Sequence, residues 1–421
     1  MSDIKEFVRS LRIIDGHEHL PMQAMRQREQ TGLFGLMHYL DSDLISAGMP
    51  REALAKQTDT SLEEKAKTFL TYWNMARNTT YARMFRTAME DLYGMKDWTV
   101  NGLLDLHEKI VSASNDPDWY RYVLRERSGI DLALTLIQTT NVDFSLFRPV
   151  MFFDFTFRLR TLKDIHDVEK GAGMTVHTFR QYLEAVDALL DKYVREGMVA
   201  TKLGHAYWRT LACGKPTEKE AEAVFNKFLS SPLEDGLSQA EWRPFQDYLI
   251  HYVIQRSIAH GLPIQIHTGH LETSVSANGN IITNSRVSDL LPLLAEYRDA
   301  RFVLLHTGFP YSSEYLSIVK NYPNAYADLT WIYVISPTAA KQTLHAMMEM
   351  VPQSKIHAFG GDYNYIEGTY AHQKLARRIV AEVLEEKVRE GALDEDEAIE
   401  FAKAVFRNNL IDFYQLDEIN A

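Results

Sequence analysis

The chain has 421 residues, 46% of them apolar and 24% charged, and a formal net charge of −12, a composition that suits a folded protein with a large core. The acidic balance argues against nucleic-acid binding, which needs a basic face, and no uncharged apolar window approaches the roughly 18 residues of a membrane span. The N-terminus reads without a basic-then-apolar leader, so a cytoplasmic protein is expected, and the single cysteine, Cys213, excludes an internal disulfide framework.

Arg12-Ile13-Ile14-Asp15-Gly16-His17-Glu18-His19-Leu20 begins with a β-branched pair and ends in two histidines one residue apart. Alternate side chains of a strand leave the same face, so His17 and His19 point together while Glu18 points away. Neutral imidazole is a common metal ligand, and the pair amounts to half a metal site. With fifteen histidines in the chain, the missing ligands decide whether the spacing carries chemistry. Residues 21–128 then take a helical rhythm. Leu33, Leu36, Met37, Leu40 and Leu44 share a face, as do Ala66, Phe69, Leu70 and Trp73, and again Phe85, Met89 and Leu92. The expectation is a helical insertion that covers the end of the first strand, inside one barrel domain spanning 1–421.

From residue 130 short apolar runs alternate with helical segments. The runs are 130–137, 150–155, 198–203, 263–267, 302–306, 325–329 and 356–361; the segments include 177–196, 217–230, 238–260, 286–298, 311–321, 337–350 and 370–390. Thr217 with Glu220 forms a capping box at the start of one segment. Counting the opening strand, eight strands alternate with helices, which is the α/β pattern of a (β/α)8 TIM barrel. A doubly wound open sheet is disfavoured, because no glycine-rich phosphate turn follows the first strand.

A barrel of this kind brings the C-terminal strand ends to one site. Polar residues stand at those ends: Lys202 in the fourth run, His267 closing Pro263-Ile264-Gln265-Ile266-His267, His306 closing Phe302-Val303-Leu304-Leu305-His306, and Asp362 after the eighth. With these residues the sequence resembles the amidohydrolase superfamily, whose pattern is His-x-His at strand one, a lysine or other group at four, histidines at five and six, and aspartate at eight. Lys202 through Tyr207-Trp208-Arg209, Gln265 through Gly269 and Leu304 through Tyr311 are similar to its amidohydrolase 2 branch, and in particular to the domains related to FluG and nodulin/glutamine-synthetase fusion proteins. The resemblance covers most of the chain outside 21–128, and the insertion itself is shared with that branch and the uronate isomerases.

The resemblance implies a metal set of His17, His19, His267 and Asp362, with His306 and Lys202 joining if a second ion binds. One or two Zn2+ ions are expected, with Mn2+ or Fe2+ accepting similar ligands, and Lys202 carboxylated if it bridges. A bound ion would lower the pKa of its water toward neutrality, Asp362 would accept and return the proton, and His306 and Lys202 would complete the catalytic group. Lys202 reads equally well as a plain cation for an anionic substrate. Arg209 and His270 are the substrate-binding candidates, although an arginine after a strand often pairs with a nearby acid. His205 reads as a loop residue, His357 as a satisfied buried histidine, and Asp15 and Asp328 as hydrogen-bonding supports.

The function expected on this basis is metal-dependent hydrolysis of an amide or related C–N bond in a small polar substrate. Non-hydrolytic decarboxylation of a small acid is the main alternative, and a non-catalytic binding protein is a lesser one. Uronate isomerisation is disfavoured, because Tyr363-Asn364 follow Asp362 where those enzymes are expected to carry an arginine, and because Lys202 has no place in their site. The insertion suits a homo-oligomer interface as readily as a lid.

Overall fold

The computed structural model describes residues 3–55, 59–233, 236–272 and 281–416. Eight strands form one sheet in chain order, and all seven consecutive pairs are parallel. They are β1 (Ile13–Glu18), β2 (Ile130–Thr135), β3 (Phe147–Phe152), β4 (Ala200–Leu203), β5 (Ile264–His267), β6 (Phe302–Leu305), β7 (Ala325–Asp328) and β8 (Ile356–His357). The ring closes between β8 and β1 through the extended residues that follow β8. Gly16 N–H donates to Phe359 O at 2.9 Å, and Asp362 N–H donates to His17 O at 2.9 Å. Gly16 makes this approach easy: a Cβ there would lie 3.3 Å from Phe359 O and 2.8 Å from Leu410 Cδ2, so its neighbours would have to shift. The fold is therefore the (β/α)8 barrel expected from the alternation.

Inside the ring Ile14, Leu132, Leu134, Val150, Ala200, Val303 and Leu305 pack with Leu410, Phe413 and Tyr414 of the helix Asn409–Tyr414 and its approach. This apolar plug fills the N-terminal half of the barrel and leaves polar side chains at the other end, as layered barrel cores require. The outer faces of the strands pack on the surrounding helices in a second, larger core.

Most elements lie where the periodicity places them. Thr217 and Glu220 do form the capping box of Glu218–Ser230. The third strand begins three residues earlier than the apolar run, at Phe147, and ends at Phe152, because the chain turns at Phe153 into the short helix Asp154–Thr156. The eighth run gives only a two-residue strand, since Gly360 and Gly361 carry the chain over β1. Residues between β1 and β2 are helical, including Tyr39–Ser46, Leu62–Ala76, Thr80–Tyr93 and Val100–Asn115. Two anchors bind these helices to the barrel. Buried Arg26 makes a bidentate pair with Glu367 at 2.8 and 2.7 Å, and Tyr39 Oη donates to Asp362 O at 2.5 Å. Among the described residues no helix is long and apolar enough to cross a membrane.

Candidate metal centre and active site

His17 and His19 leave β1 on the same side, and Asp362 reaches them from the far side of the ring closure. The Nε2 atoms of the two histidines lie 3.4 and 3.3 Å from Asp362 Oδ1. Each ring is held by its other nitrogen. His17 Nδ1 donates to Gln265 Oε1 at 2.8 Å, and His19 Nδ1 donates to Leu136 O at 3.2 Å. Gln265 is itself oriented, its Nε2 donating to Gly16 O at 3.0 Å and Tyr414 Oη at 2.9 Å. Both Nδ1 protons are thus assigned, so both Nε2 lone pairs face the carboxylate.

Burial holds the His17 imidazole well below its ordinary pKa, hence neutral. Two lone pairs and an anion at such distances repel unless a cation lies between them. Among the described residues, these three form the group whose ligand atoms all approach within 4.8 Å of one another. The donor set of two imidazoles and one carboxylate, with oxygen acceptors fixing the rings, suits a divalent transition ion.

Glu18 points away from the histidines, as alternation requires, and together with Asp15 secures the centre. Glu18 accepts from Tyr363 N–H at 2.8 Å and Thr369 Oγ1 at 2.7 Å, while Asp15 accepts from His17 N–H at 3.2 Å and Gly361 N–H at 3.1 Å. Burial raises Asp15 to about 7 and Glu18 well above its ordinary value. A Cβ on Gly361 would lie 1.7 Å from Glu18 Oε1, which makes glycine obligatory there. Asp362 and His306 both adopt left-handed backbone, with φ of 59° and 70°, a conformation that L-residues tolerate mainly where the surroundings impose it.

The remaining expected residues fall into three groups. His267 and His306 contact each other, Nδ1 to Nε2 at 3.1 Å. His267 Nε2 donates to His270 O at 2.8 Å, and His306 Nδ1 lies 3.3 Å from Thr330 O and 3.9 Å from Asp362 Oδ2. His267 lines the same cavity as the trio, whereas His306 stands behind it. Lys202 also faces the cavity. It is buried and makes no hydrogen bond or ion pair among the described residues; burial lowers it to about 8, against the pull of Asp362, Asp328 and Asp154.

Arg209 is not among the residues that line the cavity. Its guanidinium donates to Asp247 Oδ1 at 2.5 Å, Ala212 O at 2.7 Å and Gln246 Oε1 at 3.2 Å, and its side chain is 2% exposed. The acid-pairing role therefore replaces the carboxylate clamp. His270 lies against the Trp331 ring, centroids 5.1 Å apart, outside the residues that line the cavity. His357 is buried as expected but unsatisfied, with neither ring nitrogen bonded, between Tyr326, Phe413 and Tyr414.

The cavity measures about 540 Å³. Several of its walls escaped sequence reasoning: His38 and Tyr39 from the helical segment after β1, and Asp154, Tyr207 and Trp208 from the β3 and β4 ends. Asp154 accepts from Gly204 N–H at 2.9 Å and Trp208 Nε1 at 3.1 Å, and burial raises it to about 7. Gln265 was legible in principle, since it is a polar residue two positions before His267 on the inward face of an apolar strand. The tyrosines carried no pattern of their own.

A parallel (β/α)8 ring with an imidazole–imidazole–carboxylate centre at its C-terminal mouth defines a metal-binding enzyme class. Residues 156–400 match the model of the amidohydrolase family, in its amidohydrolase 2 branch, and the chain belongs to that family. It is 25% identical to the FluG protein of Emericella nidulans over 222 residues, covering 50% of this chain and 25% of FluG. The match thus spans a quarter of that protein. A uronate isomerase of Nostoc punctiforme is 22% identical over 417 residues, 90% of this chain and 86% of the isomerase. The crystal structure of glucuronate isomerase from Caulobacter crescentus superposes with a TM-score of 0.81 at 20% identity, covering 98% of this chain and 93% of that one, and so shares the fold.

Proposed function

We propose that the protein is a metal-dependent isomerase acting on a small hydroxylated acid of the uronate type. This replaces the hydrolase expected from the ligand motif. The isomerases align along nearly the whole chain, including the segment between β1 and β2, whereas the motif belongs to the superfamily at large. The observation that carries the reading is this alignment over nearly the whole chain, on a barrel whose cavity holds the His17, His19 and Asp362 trio. A hydroxy acid presents both matching groups: hydroxyl and carbonyl oxygens for the ion, and a carboxylate for Lys202.

An aldose-to-ketose isomerisation removes a proton from C2, adds one to C1, and moves the hydroxyl proton from the C2 oxygen to the C1 oxygen. A divalent ion in the trio would polarise the two oxygens. Asp362, His17 and His19 hold the ion, Lys202 orients the substrate carboxylate, and the neutral His267–His306 pair handles the proton at the cavity wall. Tyr39 and Tyr207, whose hydroxyls burial keeps protonated, line the same cavity.

Two features still favour hydrolysis: Lys202 at the fourth strand, and Asn364 where an arginine would be expected in an isomerase. The test is to load the protein with Zn2+ or Mn2+ and follow D-glucuronate and D-galacturonate by NMR. Formation of the corresponding keto acids supports the isomerase. No conversion of uronates, with release of amine from N-acyl amino acids instead, would establish the hydrolase.

A further inference from the structure

A second cavity, about 520 Å³, opens at the opposite end of the barrel, beside the starts of β1 and β2. Its walls come from three parts of the chain. Lys5, Arg9 and Arg12 lie on or just after the helix Asp3–Ser10, Arg127 lies before β2, and Lys374, Arg377 and Arg378 lie on the helix Ile366–Arg389. Seven cations thus face it and one carboxylate, Glu126, in a protein whose net charge is −12. Such a reversal of sign is not expected from an evenly mixed surface.

The pairing of these cations separates them into two kinds. Lys5, Arg9, Arg12, Lys374 and Arg378 pair with Glu385, Glu6, Asp131, Asp91 and Glu382, none of which lines the cavity. All five pairs are partly exposed, and exposed pairs are weak and readily exchanged for a better anion. Arg377 and Arg127 have no carboxylate partner among the described residues. Arg377 is 6% exposed and donates to Val8 O at 2.6 Å, Leu11 O at 2.7 Å, Ser128 O at 3.0 Å and Gln373 Oε1 at 2.7 Å. Those neutral acceptors fix the guanidinium without cancelling its charge, and burial together with Arg12 lowers its pKa to about 10. Arg127 bonds Tyr122 Oη at 2.9 Å, Asp91 O at 3.3 Å and Tyr370 Oη at 3.3 Å, also without compensation.

A buried guanidinium held only by carbonyls and an amide, ringed by exchangeable cations in a concave site, matches a ligand with several clustered negative charges. From the convergence of these cations on one cavity, we propose that the cavity between the helices Asp3–Ser10 and Ile366–Arg389 binds a small polyphosphate-bearing anion. Guanidinium forks on three parts of the chain can each meet a different phosphate, which one carboxylate could not use. The same helix Ile366–Arg389 leads back to the active site, since Thr369 binds Glu18 and His372 Nδ1 lies 2.9 Å from Gly361 O.

The experiment is calorimetric titration of the full chain with inorganic tripolyphosphate at physiological ionic strength. One site is expected, with inorganic phosphate binding at least about tenfold more weakly. Arg127→Gln combined with Lys374→Gln, both at partly exposed positions, should weaken tripolyphosphate by at least about tenfold, and circular dichroism checks that this variant is folded. Lys202→Met, which removes the cation of the other cavity, should leave the affinity unchanged. Absence of binding at millimolar tripolyphosphate, or binding lost in Lys202→Met and kept in the double variant, would overturn the proposal.

Discussion

The trio of His17, His19 and Asp362 and the pair His267 and His306 are built from the same kind of residue at the same barrel mouth, yet they are wired in opposite senses. In the trio each imidazole gives its Nδ1 proton to a fixed oxygen and turns a bare Nε2 toward a carboxylate. In the pair His306 Nε2 donates to His267 Nδ1 and His267 Nε2 donates to His270 O, so the His267 lone pair is engaged within the protein. The first arrangement needs an external cation to relieve its repulsion, and the second does not. Ligation therefore depends less on having a histidine at a strand end than on which nitrogen its neighbours leave open.

The severest way to break this contrast is to remove the trio's charge. Asp362→Asn should lower both metal content and turnover by orders of magnitude while the barrel stays folded, and metal analysis with steady-state kinetics will check it. Full metal occupancy with unchanged turnover would mean that Asp362 is not the anchor. His267→Ala sharpens the other side: the ion should remain, because the trio is intact, while turnover falls about 10²- to 10⁴-fold through loss of proton handling. Loss of the ion in that variant would return His267 to the ligand set. Gln265→Leu leaves all three donors in place and frees the His17 ring, so metal affinity should drop about 10- to 100-fold.

The smallest effect concerns pH. Burial lowers Lys202 to about 8, so its ammonium is present at neutral pH and is lost as pH rises through that value. KM for an acidic substrate should climb above pH 8, and Lys202→Met should flatten the profile at a higher KM throughout. The sign for stability is opposite. Between about 8 and the ordinary lysine value of 10.5, the unfolded chain holds the proton that the folded chain has released, so stability rises with pH across that window. Chemical denaturation of the Lys202→Met variant should show no such contribution.

Much of the barrel was legible in the chain because strands buried on both faces read as apolar runs, and the helices between them carry their own period. The β1 histidines were legible for a related reason, since a spacing of two is itself a geometric statement. The partner of Gln265 was not. A glutamine inside an apolar strand gains its meaning from His17, 248 residues away in sequence, and no local pattern reports such a neighbour. Arg209 shows the converse failure: its position after β4 suggested a substrate clamp, but Asp247, on a helix 38 residues further on, accepts its charge.

What the amino-acid order determined unaided was the alternation of strands and helices, and hence the closed parallel ring and the end at which chemistry must lie, because backbone periodicity is a local property. Only the tertiary structure decided which histidines turn a lone pair to the cavity, which cations keep an uncompensated charge, and which side chains from the segment after β1 roof the site. Those outcomes depend on hydrogen-bond partners and burial supplied by distant segments once the ring has closed.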